Sequence, residues 1–189
     1  MIKVGITGNI ASGKTEVEKI VKELGYEVIC ADCVSHNLLD SDVQVRQKVY
    51  NLFKTLDRKE IGEIVFANLE LKAKLEEILH PRIRQEIESF FANNSDKKLV
   101  FASIPLLYEA SFEDMFDKVI LVCANEELRL ERLLRRNNHT KEHALSRINS
   151  QMCEFTKRGL ADYIVENEGS FDELRVAVLK LTEALELLE

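Results

Sequence analysis

The sequence predicts an α/β fold built on a parallel sheet, mainly because of the order of the elements at the start of the chain. Residues 2–7 alternate in polarity and are rich in β-branched side chains, which is typical of a strand. Gly8 ends that strand, residues 15–24 carry apolar side chains on one helical face, and residues 27–30 have the pattern of a second strand. A strand, a glycine loop, a helix and a strand in this order form a βαβ unit, which implies parallel strands.

The middle of the chain is predicted to be helical. A helical pattern follows the second strand as far as Leu39, and residues 42–92 contain no convincing strand, since their apolar residues recur every three or four positions. Pro81 must begin, kink or end a helix there, because proline lacks an N–H and clashes with the preceding turn. We expect residues 42–92 to form a helical insertion on one side of the sheet.

The α/β pattern then resumes and continues to the end of the chain. The three predicted strands are residues 99–102, 118–122 and 163–165, and the three predicted helices are residues 126–136, 141–152 and 171–188. No repeat or low-complexity linker divides the chain, so residues 1–189 are expected to form a single domain.

Composition and charge exclude several classes of protein. Of the 189 residues, 46% are hydrophobic, which is enough for one core and argues against intrinsic disorder. The net charge of −7 disfavours a broadly basic nucleic-acid or membrane-surface binder, although the acidity is concentrated in residues 162–189. No apolar run approaches the roughly 20 residues that span a bilayer. Four Cys residues without a secretory signal suggest reduced thiols and a cytoplasmic protein.

The strongest motif is the segment from Gly8 to Thr15, which fits the P-loop pattern of Gly, four residues, Gly, Lys, then Ser or Thr. The glycines let the backbone curl so that its N–H groups point at phosphate oxygens, and the following helix adds the positive end of its dipole. Lys14 is expected to reach the β- and γ-phosphates, and the Thr15 hydroxyl to bind Mg²⁺. The residues expected to contact ATP here are Gly8, Ala11, Ser12, Gly13, Lys14, Thr15 and Glu16.

A P-loop alone indicates only a nucleoside triphosphate. No Asn-Lys-x-Asp element follows, so a guanine-specific switch has no positive support. Ser103 stands at the end of the third strand, where an ATPase carries the Asp that holds Mg²⁺. A small-molecule kinase remains open, because its metal is held largely by substrate phosphates.

Asp32 is the candidate general base. It follows the second strand, whose carboxyl end lies at the sheet edge that also carries the P-loop, so it is predicted to face the γ-phosphate. The alternative is that Asp32 only caps the next helix. Cys30 and Cys33 form a C-x-x-C pair that also allows a redox or zinc site, but the P-loop context and the lack of further paired ligands disfavour both.

Arginines between residues 126 and 152 suggest a lid over the nucleotide. Arg132 and Arg136 share a helix face and could contact one polyphosphate, whereas a solvated helix face that also includes Arg129 and Arg135 is the alternative. Function is favoured for Arg136, because leucines at 130, 133 and 134 already supply the buried stripe.

An ordered series of further elements resembles the dephospho-CoA kinase family over nearly the whole chain. They are the P-loop, Asp32, residues 56–59, residues 62–66, Leu75, the Ile78-Leu79-His80-Pro81 element, the Ile104 to Glu109 element, the 132–136 helix, Gln151, residues 161–165 and Asn167. Two positions depart from the family pattern. Cys30 replaces the first Asp of its usual Asp-Ala-Asp, and Ser103 replaces an Asp found in many members.

The resemblance implies an enzyme that moves the γ-phosphate of ATP, with Mg²⁺, to the ribose 3′-hydroxyl of dephospho-CoA. It implies a P-loop kinase fold with a five-stranded parallel sheet, an acceptor-binding helical insertion over 42–92 and an Arg-rich lid over 126–152. Asp32 takes the place of the family's proposed general base, and Asn167 and Arg132 are expected near the nucleotide. The expected acceptor contacts are His80, Pro81, Arg84, Leu106 and Glu109.

Three alternatives stay open at this point. The same P-loop and Asp32 would serve a kinase of another small acceptor, such as a nucleoside monophosphate. A nucleotide-binding or cysteine-based redox switch is a hypothesis of a different class. The third alternative concerns His80, which precedes Pro81 and could simply end a helix. No nucleic acid, membrane or obligate protein partner is expected.

Overall fold

The computed structural model describes residues 1–137 and 140–188, and the side chains of Arg136 and Asn137 lie outside the described part. Its strands are β1 (Ile2–Gly8), β2 (Glu27–Cys30), β3 (Leu99–Ser103), β4 (Lys118–Cys123) and β5 (Tyr163–Glu166). Its helices are α1 (Lys14–Glu23), α2 (Ala31–Ser41), α3 (Val43–Phe53), α4 (Arg58–Ala67), α5 (Leu69–Asn93), α6 (Glu126–Asn137), α7 (Lys141–Asn149), α8 (Glu154–Leu160) and α9 (Phe171–Glu186). A short 3₁₀ helix spans Glu113–Met115.

The chain divides into two compact units. One contains residues 1–29 and 93–189, and the other contains residues 30–92. The predicted helical insertion, 42–92, falls within the second unit, which also includes α2.

The five strands form one parallel sheet in the order β2-β3-β1-β4-β5, as the predicted α/β fold requires. Ile2 of β1 pairs with Leu99, and Val4 pairs with Lys118, so β1 lies between β3 and β4. The carboxyl ends of these three strands therefore meet at one edge. In open α/β sheets this edge, outside the central strands, is where ligands bind.

The main core of the first unit lies between this sheet and the helices α1 and α9. Val4, Ile6 and Ile120 of the strands are almost fully buried, as are Val17 and Ile20 of α1. Burial of each such side chain contributes about 1.5–3 kcal/mol relative to exposure. Parallel strands buried in this way read as continuous apolar runs, which explains why β3 and β4 were visible in the sequence.

A smaller core joins α6 and α7. Leu133, Ala144 and Ile148 are buried together, and the partly buried Leu130 and Leu134 pack against them. The leucine stripe predicted for α6 is thus confirmed. The alternative of a solvated helix face is wrong for Arg129, which is only 5% exposed.

After Cys30, the last residue of β2, the second unit contains only helices and the loops that join them. Two of these helices begin where acidic side chains bind free backbone N–H groups, because Asp42 accepts from two amides of α3 and Asp57 from two amides of α4. Asp42 also accepts a hydrogen bond from Arg82 Nη2 at 2.7 Å, which ties α3 to α5. The Val45 amide and then Arg82 hold the pKa of the Asp42 carboxyl below its ordinary value.

Pro81 lies inside the 25-residue helix α5. The interpretation of His80 as the end of a helix is therefore wrong, as is any boundary at Pro81. A proline in a helix interior costs about 3 kcal/mol, because it removes one hydrogen bond and crowds the carbonyl four residues earlier. The helix continues because Leu79, Ile83, Ile87 and Phe91 are buried along one stripe, and their burial outweighs that cost.

The sequence also misplaced elements near the end of the chain. The predicted 141–152 helix ends at Asn149, since the backbone and side chains of the next residues bond to other loops. The helix α8 was not predicted. Its buried residue is Lys157, while Phe155 and Leu160 are exposed, so it lacks the apolar periodicity that would have indicated it.

None of the described helices is both long enough and apolar enough to span a membrane.

The Pro81→Ala variant is expected to have an unfolding free energy about 1–2 kcal/mol higher than the parent. Alanine restores the N–H and removes the clash in the helix, and the greater freedom of its unfolded chain offsets part of that gain. Urea unfolding measures this difference. The matched control is Pro105→Ala, which changes the other proline of the chain, outside any helix, and should give no gain. A destabilised Pro81→Ala protein would contradict this account of α5.

Candidate active site

The loop between β1 and α1 has glycines at positions that admit no side chain. A Cβ on Gly8 would lie 2.5 Å from Ser12 Oγ and 2.7 Å from the Val122 carbonyl oxygen. Gly13 has a φ of 96°, and a Cβ there would collide with the Asn167 side-chain amide. Both glycines of the predicted motif are thus required by the packing around the loop.

Two side chains hold the backbone of this loop from outside. Arg132 Nη1 donates to the carbonyl oxygens of Ala11 and Ser12, at 3.2 and 3.3 Å, and Asn167 Nδ2 donates to the Ser12 carbonyl at 2.8 Å. Arg132 also donates to the Asn167 carbonyl at 2.9 Å, so the two residues are joined. The Ser12 amide donates to the Asn9 carbonyl at 3.0 Å, which closes the turn. Because the C=O and N–H of one peptide point in opposite directions, drawing the Ser12 carbonyl outward turns the Gly13 amide inward.

Lys14 reaches across the sheet edge to the end of β3. Its Nζ donates to Ser103 Oγ at 2.5 Å, and Ser103 is fully buried. The partner is a neutral hydroxyl, so the charge of Lys14 is not cancelled there. A lysine held in this way can exchange the hydroxyl for phosphate oxygens, which are stronger partners.

The first turn of α1 carries the other predicted nucleotide residues. Thr15 and Glu16 are in this turn, where the N–H groups lack helical partners and the helix dipole favours an anion. The Glu16 amide is already donated to the Gly13 carbonyl, and its carboxylate binds Lys19 at 2.9 Å. Glu16 is therefore occupied by contacts within its own helix.

The remaining lid arginines differ from one another. Arg135 is exposed and pairs with Glu131 at 2.5 Å. The Nε and Nη1 atoms of Arg129 are buried and have no hydrogen-bond partner among the described residues. Arg136 lies in α6, but its side chain is outside the described part, as are residues 138 and 139.

Asp32 lies in the first turn of α2, within the second unit. The residue in the capping position is Cys30, and no side chain caps this helix, so the interpretation of Asp32 as the cap is wrong. Asp32 is exposed, and within the described residues its carboxylate has no hydrogen bond or ion pair. It is free to accept a proton from a bound hydroxyl group.

Three predicted acceptor contacts lie together on α5 of the second unit. His80 is next to Pro81, and Arg84 lies four residues after His80, on the same helix face. Burial lowers the pKa of His80 below its ordinary 6.5; Arg84 and Lys72 lower it further, and Glu76 opposes them. An imidazole and a guanidinium on one face form a surface that suits an anionic or hydroxyl-bearing acceptor.

The remaining two predicted acceptor contacts lie after β3, in the first unit. Leu106 is half-buried, while the Glu109 carboxylate already has partners inside the protein. It accepts a hydrogen bond from the Met152 amide at 3.0 Å and lies 2.8 Å from Lys157 Nζ. Lys157 Nζ has no hydrogen-bond partner among the described residues, so its contact with Glu109 is an ion pair.

The cysteines do not form a site in the described part of the chain. Cys30 and Cys33 are not joined in a disulfide, and no group of three His, Cys, Asp or Glu side chains there could hold a metal ion. Burial raises the pKa of the Cys123 thiol to about 12, so this sulfur stays protonated and unreactive at neutral pH.

A phosphate loop between the first strand and helix of a parallel sheet, with its lysine poised at the sheet edge, defines the P-loop class of nucleotide-binding proteins. A family model described as dephospho-CoA kinase matches residues 2–173. The chain belongs to the dephospho-CoA kinase family and is a kinase.

Individual relatives agree with this result over nearly the whole chain. The dephospho-CoA kinase of Listeria innocua is 35% identical, and the match covers 95% of each chain. A crystal structure from Thermus thermophilus has a TM-score of 0.86 at 32% identity, covering 100% of this chain and 98% of that one. The dephospho-CoA kinase from Campylobacter jejuni has a TM-score of 0.72 at 33% identity, covering 97% and 96%.

The Glu109→Gln variant is expected to lose about 3–5 kcal/mol of unfolding free energy, because it leaves the charge of the fully buried Lys157 without its partner. Lys157→Met removes the buried charge instead and leaves Glu109, whose side chain is 21% exposed, to the Met152 amide and water. The loss of unfolding free energy in Lys157→Met should be clearly smaller than in Glu109→Gln. Urea unfolding of both variants measures the difference, and an equal or larger loss in Lys157→Met would contradict it.

His80 is expected to make the protein less stable as the pH falls. The unfolded chain takes up a proton near pH 6.5, whereas the folded chain takes it up only at lower pH. The contribution of His80 to the unfolding free energy is therefore fully present above pH 6.5 and is lost as the pH falls through the pKa of His80 in the folded protein. Unfolding free energies at about pH 7.5 and 5.5 should differ less in His80→Gln than in the parent.

The control for this pH effect is His36→Gln, which changes an exposed histidine of α2. It should keep the pH dependence of the parent protein. An unchanged pH dependence in His80→Gln would show that His80 does not contribute.

Proposed function

We propose that the protein transfers the γ-phosphate of ATP to the ribose 3′-hydroxyl of dephospho-CoA, giving CoA and ADP in the final step of CoA biosynthesis. The observation that carries this proposal is the dephospho-CoA kinase family match over residues 2–173, which includes the loop with Lys14. The acceptor is assigned from the family. The chemistry of the donor site is supported by the loop geometry.

ATP is assigned to the P-loop. The Ile10 and Ser12 amides are already bonded within the protein, so other amides of the loop are assigned to the phosphates of ATP. Lys14 leaves Ser103 to contact the β- and γ-phosphates. Arg132 supports the loop through its carbonyls, and we assign Arg136 to the transferring phosphate, where a positive charge stabilises the transition state. Asn167 holds the loop from the same side as Arg132.

The protein offers few oxygen ligands for Mg²⁺ beside the P-loop, so the residues there fit a metal ion that is held mainly by phosphates and water. The protein ligand assigned to it is the Thr15 hydroxyl, and Ser103 offers a neutral oxygen where many family members have an Asp. Mg²⁺ prefers six oxygen ligands and keeps several waters, so few protein ligands are enough. When bound, it neutralises charge on the phosphates.

Asp32 is assigned as the general base. In the proposed step its carboxylate accepts the proton of the 3′-hydroxyl, the hydroxyl oxygen forms a bond to the γ-phosphorus, and the bond from that phosphorus to ADP breaks. Its exposure and lack of partners support this role. Cys30 supplies no carboxylate beside it, so Asp32 is assigned this role alone.

His80, Pro81 and Arg84 of the second unit are assigned as acceptor contacts, and Leu106 of the first unit is assigned as a separate one. Arg84 supplies positive charge for the acceptor's phosphates, and His80 a ring that can donate or accept a hydrogen bond. Glu109 supports this region indirectly, because its carboxylate is used by Met152 and Lys157.

The function is tested by incubating the protein with ATP, Mg²⁺ and dephospho-CoA and detecting CoA and ADP. Parallel reactions contain AMP, CMP or UMP as acceptors. Formation of CoA in preference to any nucleoside diphosphate supports the proposal. A folded protein that phosphorylates a nucleoside monophosphate but not dephospho-CoA would overturn it.

The Asp32→Asn variant is expected to bind ATP as the parent does and to lose about 10²–10⁴-fold in kcat, the usual contribution of a general base. Calorimetry gives the ATP affinity and coupled ADP release gives kcat. Asp40→Asn, which changes another exposed carboxylate of α2, is the matched control and should retain full turnover. Undiminished turnover in Asp32→Asn would remove Asp32 from the mechanism.

A further inference from the structure

The segment between α7 and α8, residues 150–153, is bonded to the phosphate loop. The Ile10 amide donates to Gln151 Oε1 at 2.7 Å, and Asn9 Nδ2 donates to the Met152 carbonyl at 3.1 Å. Both loop residues lie in the first four positions of the motif. They are more than 140 residues away from the segment in sequence.

The same segment is anchored on its other side. The Met152 amide donates to Glu109 Oε1, and Glu109 is held in turn by the fully buried Lys157 of α8. The position of Gln151 is therefore set by bonds that do not involve the phosphate loop. It can act as a fixed point against which the loop is held.

The tip of the loop needs such a fixed point. Ala11 has a φ of 62°, a left-handed conformation that a residue other than glycine adopts only when its surroundings hold it. Ile10 and Ala11 pack against the small core of α6 and α7, but these apolar contacts do not fix the orientation of the peptide unit between Asn9 and Ile10. The hydrogen bond from the Ile10 amide to Gln151 fixes that orientation.

We propose that Gln151 is a positioning residue for phosphoryl transfer. Its side-chain carbonyl binds the Ile10 amide, holds the turn at the tip of the loop and presets the loop amides that follow for the phosphates of ATP. Without this acceptor the loop populates other conformations, and the apparent affinity falls by the fraction that remains competent. The inference rests on the proposed function only in taking ATP as the ligand.

The test uses Gln151→Met, which keeps the length of the side chain and removes the acceptor. Its affinity for ATP with Mg²⁺, measured by calorimetry without any acceptor substrate, is expected to fall about tenfold, the loss for one hydrogen bond of about 1.4 kcal/mol. The KM for ATP should rise by a similar factor, while kcat at saturating ATP stays within about twofold of the parent, since a positioning loss acts on binding.

Two controls separate positioning from general stability. Gln151→Glu keeps an acceptor oxygen at the same reach and is expected to recover most of the affinity in about 0.5 M salt, where its added charge is screened. Gln47→Met makes the same substitution on the exposed side of α3 and should leave ATP affinity unchanged. Unfolding midpoints are compared for all three variants.

Hydrogen exchange adds a measurement on the parent protein, which does not depend on whether a variant folds. The Ile10 amide should be protected in the nucleotide-free parent protein and should exchange faster in Gln151→Met. A rapidly exchanging Ile10 amide in the parent would overturn the proposal. So would an unchanged ATP affinity in Gln151→Met, or equal losses in Gln151→Met and Gln151→Glu that follow their unfolding midpoints.

These measurements are independent of the acceptor. If the parent binds ATP but does not phosphorylate dephospho-CoA, the proposed function fails and the inference about Gln151 still stands or falls by the affinities.

Discussion

The rest of the site depends on how the backbone of the phosphate loop is held from behind. The carbonyl groups of Ala11 and Ser12 are bound by Arg132 and Asn167, which come from α6 and from the end of β5. These bonds leave the opposite side of the loop, with its amide groups, for an anion. Gly13 belongs to the same arrangement, because a Cβ there would collide with the Asn167 side-chain amide.

Charge in the first unit is arranged locally, and the net charge of −7 hides this arrangement. Lys14 rests on a neutral hydroxyl and Arg132 on neutral carbonyl groups, so both keep their positive charge beside the loop. By contrast, the buried Lys157 is matched by the carboxylate of Glu109. Lys14 and Arg132 therefore remain able to attract phosphates, whereas the buried charge of Lys157 is neutralised within the fold.

The sequence predicted most of the fold, including the loop between β1 and α1 to which the phosphate site is assigned. Apolar runs indicated the strands, the P-loop spacing indicated the phosphate site, and the leucine stripe of α6 is confirmed. A helix boundary at Pro81 is wrong, because burial along α5 outweighs the local preference of proline. The alternative of a solvated helix face is wrong at Arg129, which is buried despite its charge. The sequence pattern missed α8, because the buried residue of that helix is a lysine. In each case packing against residues distant in sequence overrides the local pattern.

The sequence by itself determined the family, the βαβ start and the phosphate-loop motif, because these depend on residue type and short spacing. Only the tertiary structure decided which side chains support those residues. Gln151, Arg132 and Asn167 meet the loop from positions more than 100 residues away, and the Glu109 carboxylate is bound by the Met152 amide and Lys157. Hydrogen bonds between such distant groups leave no periodic trace in the sequence. They exist only once the parallel sheet has brought the ends of its strands to one edge.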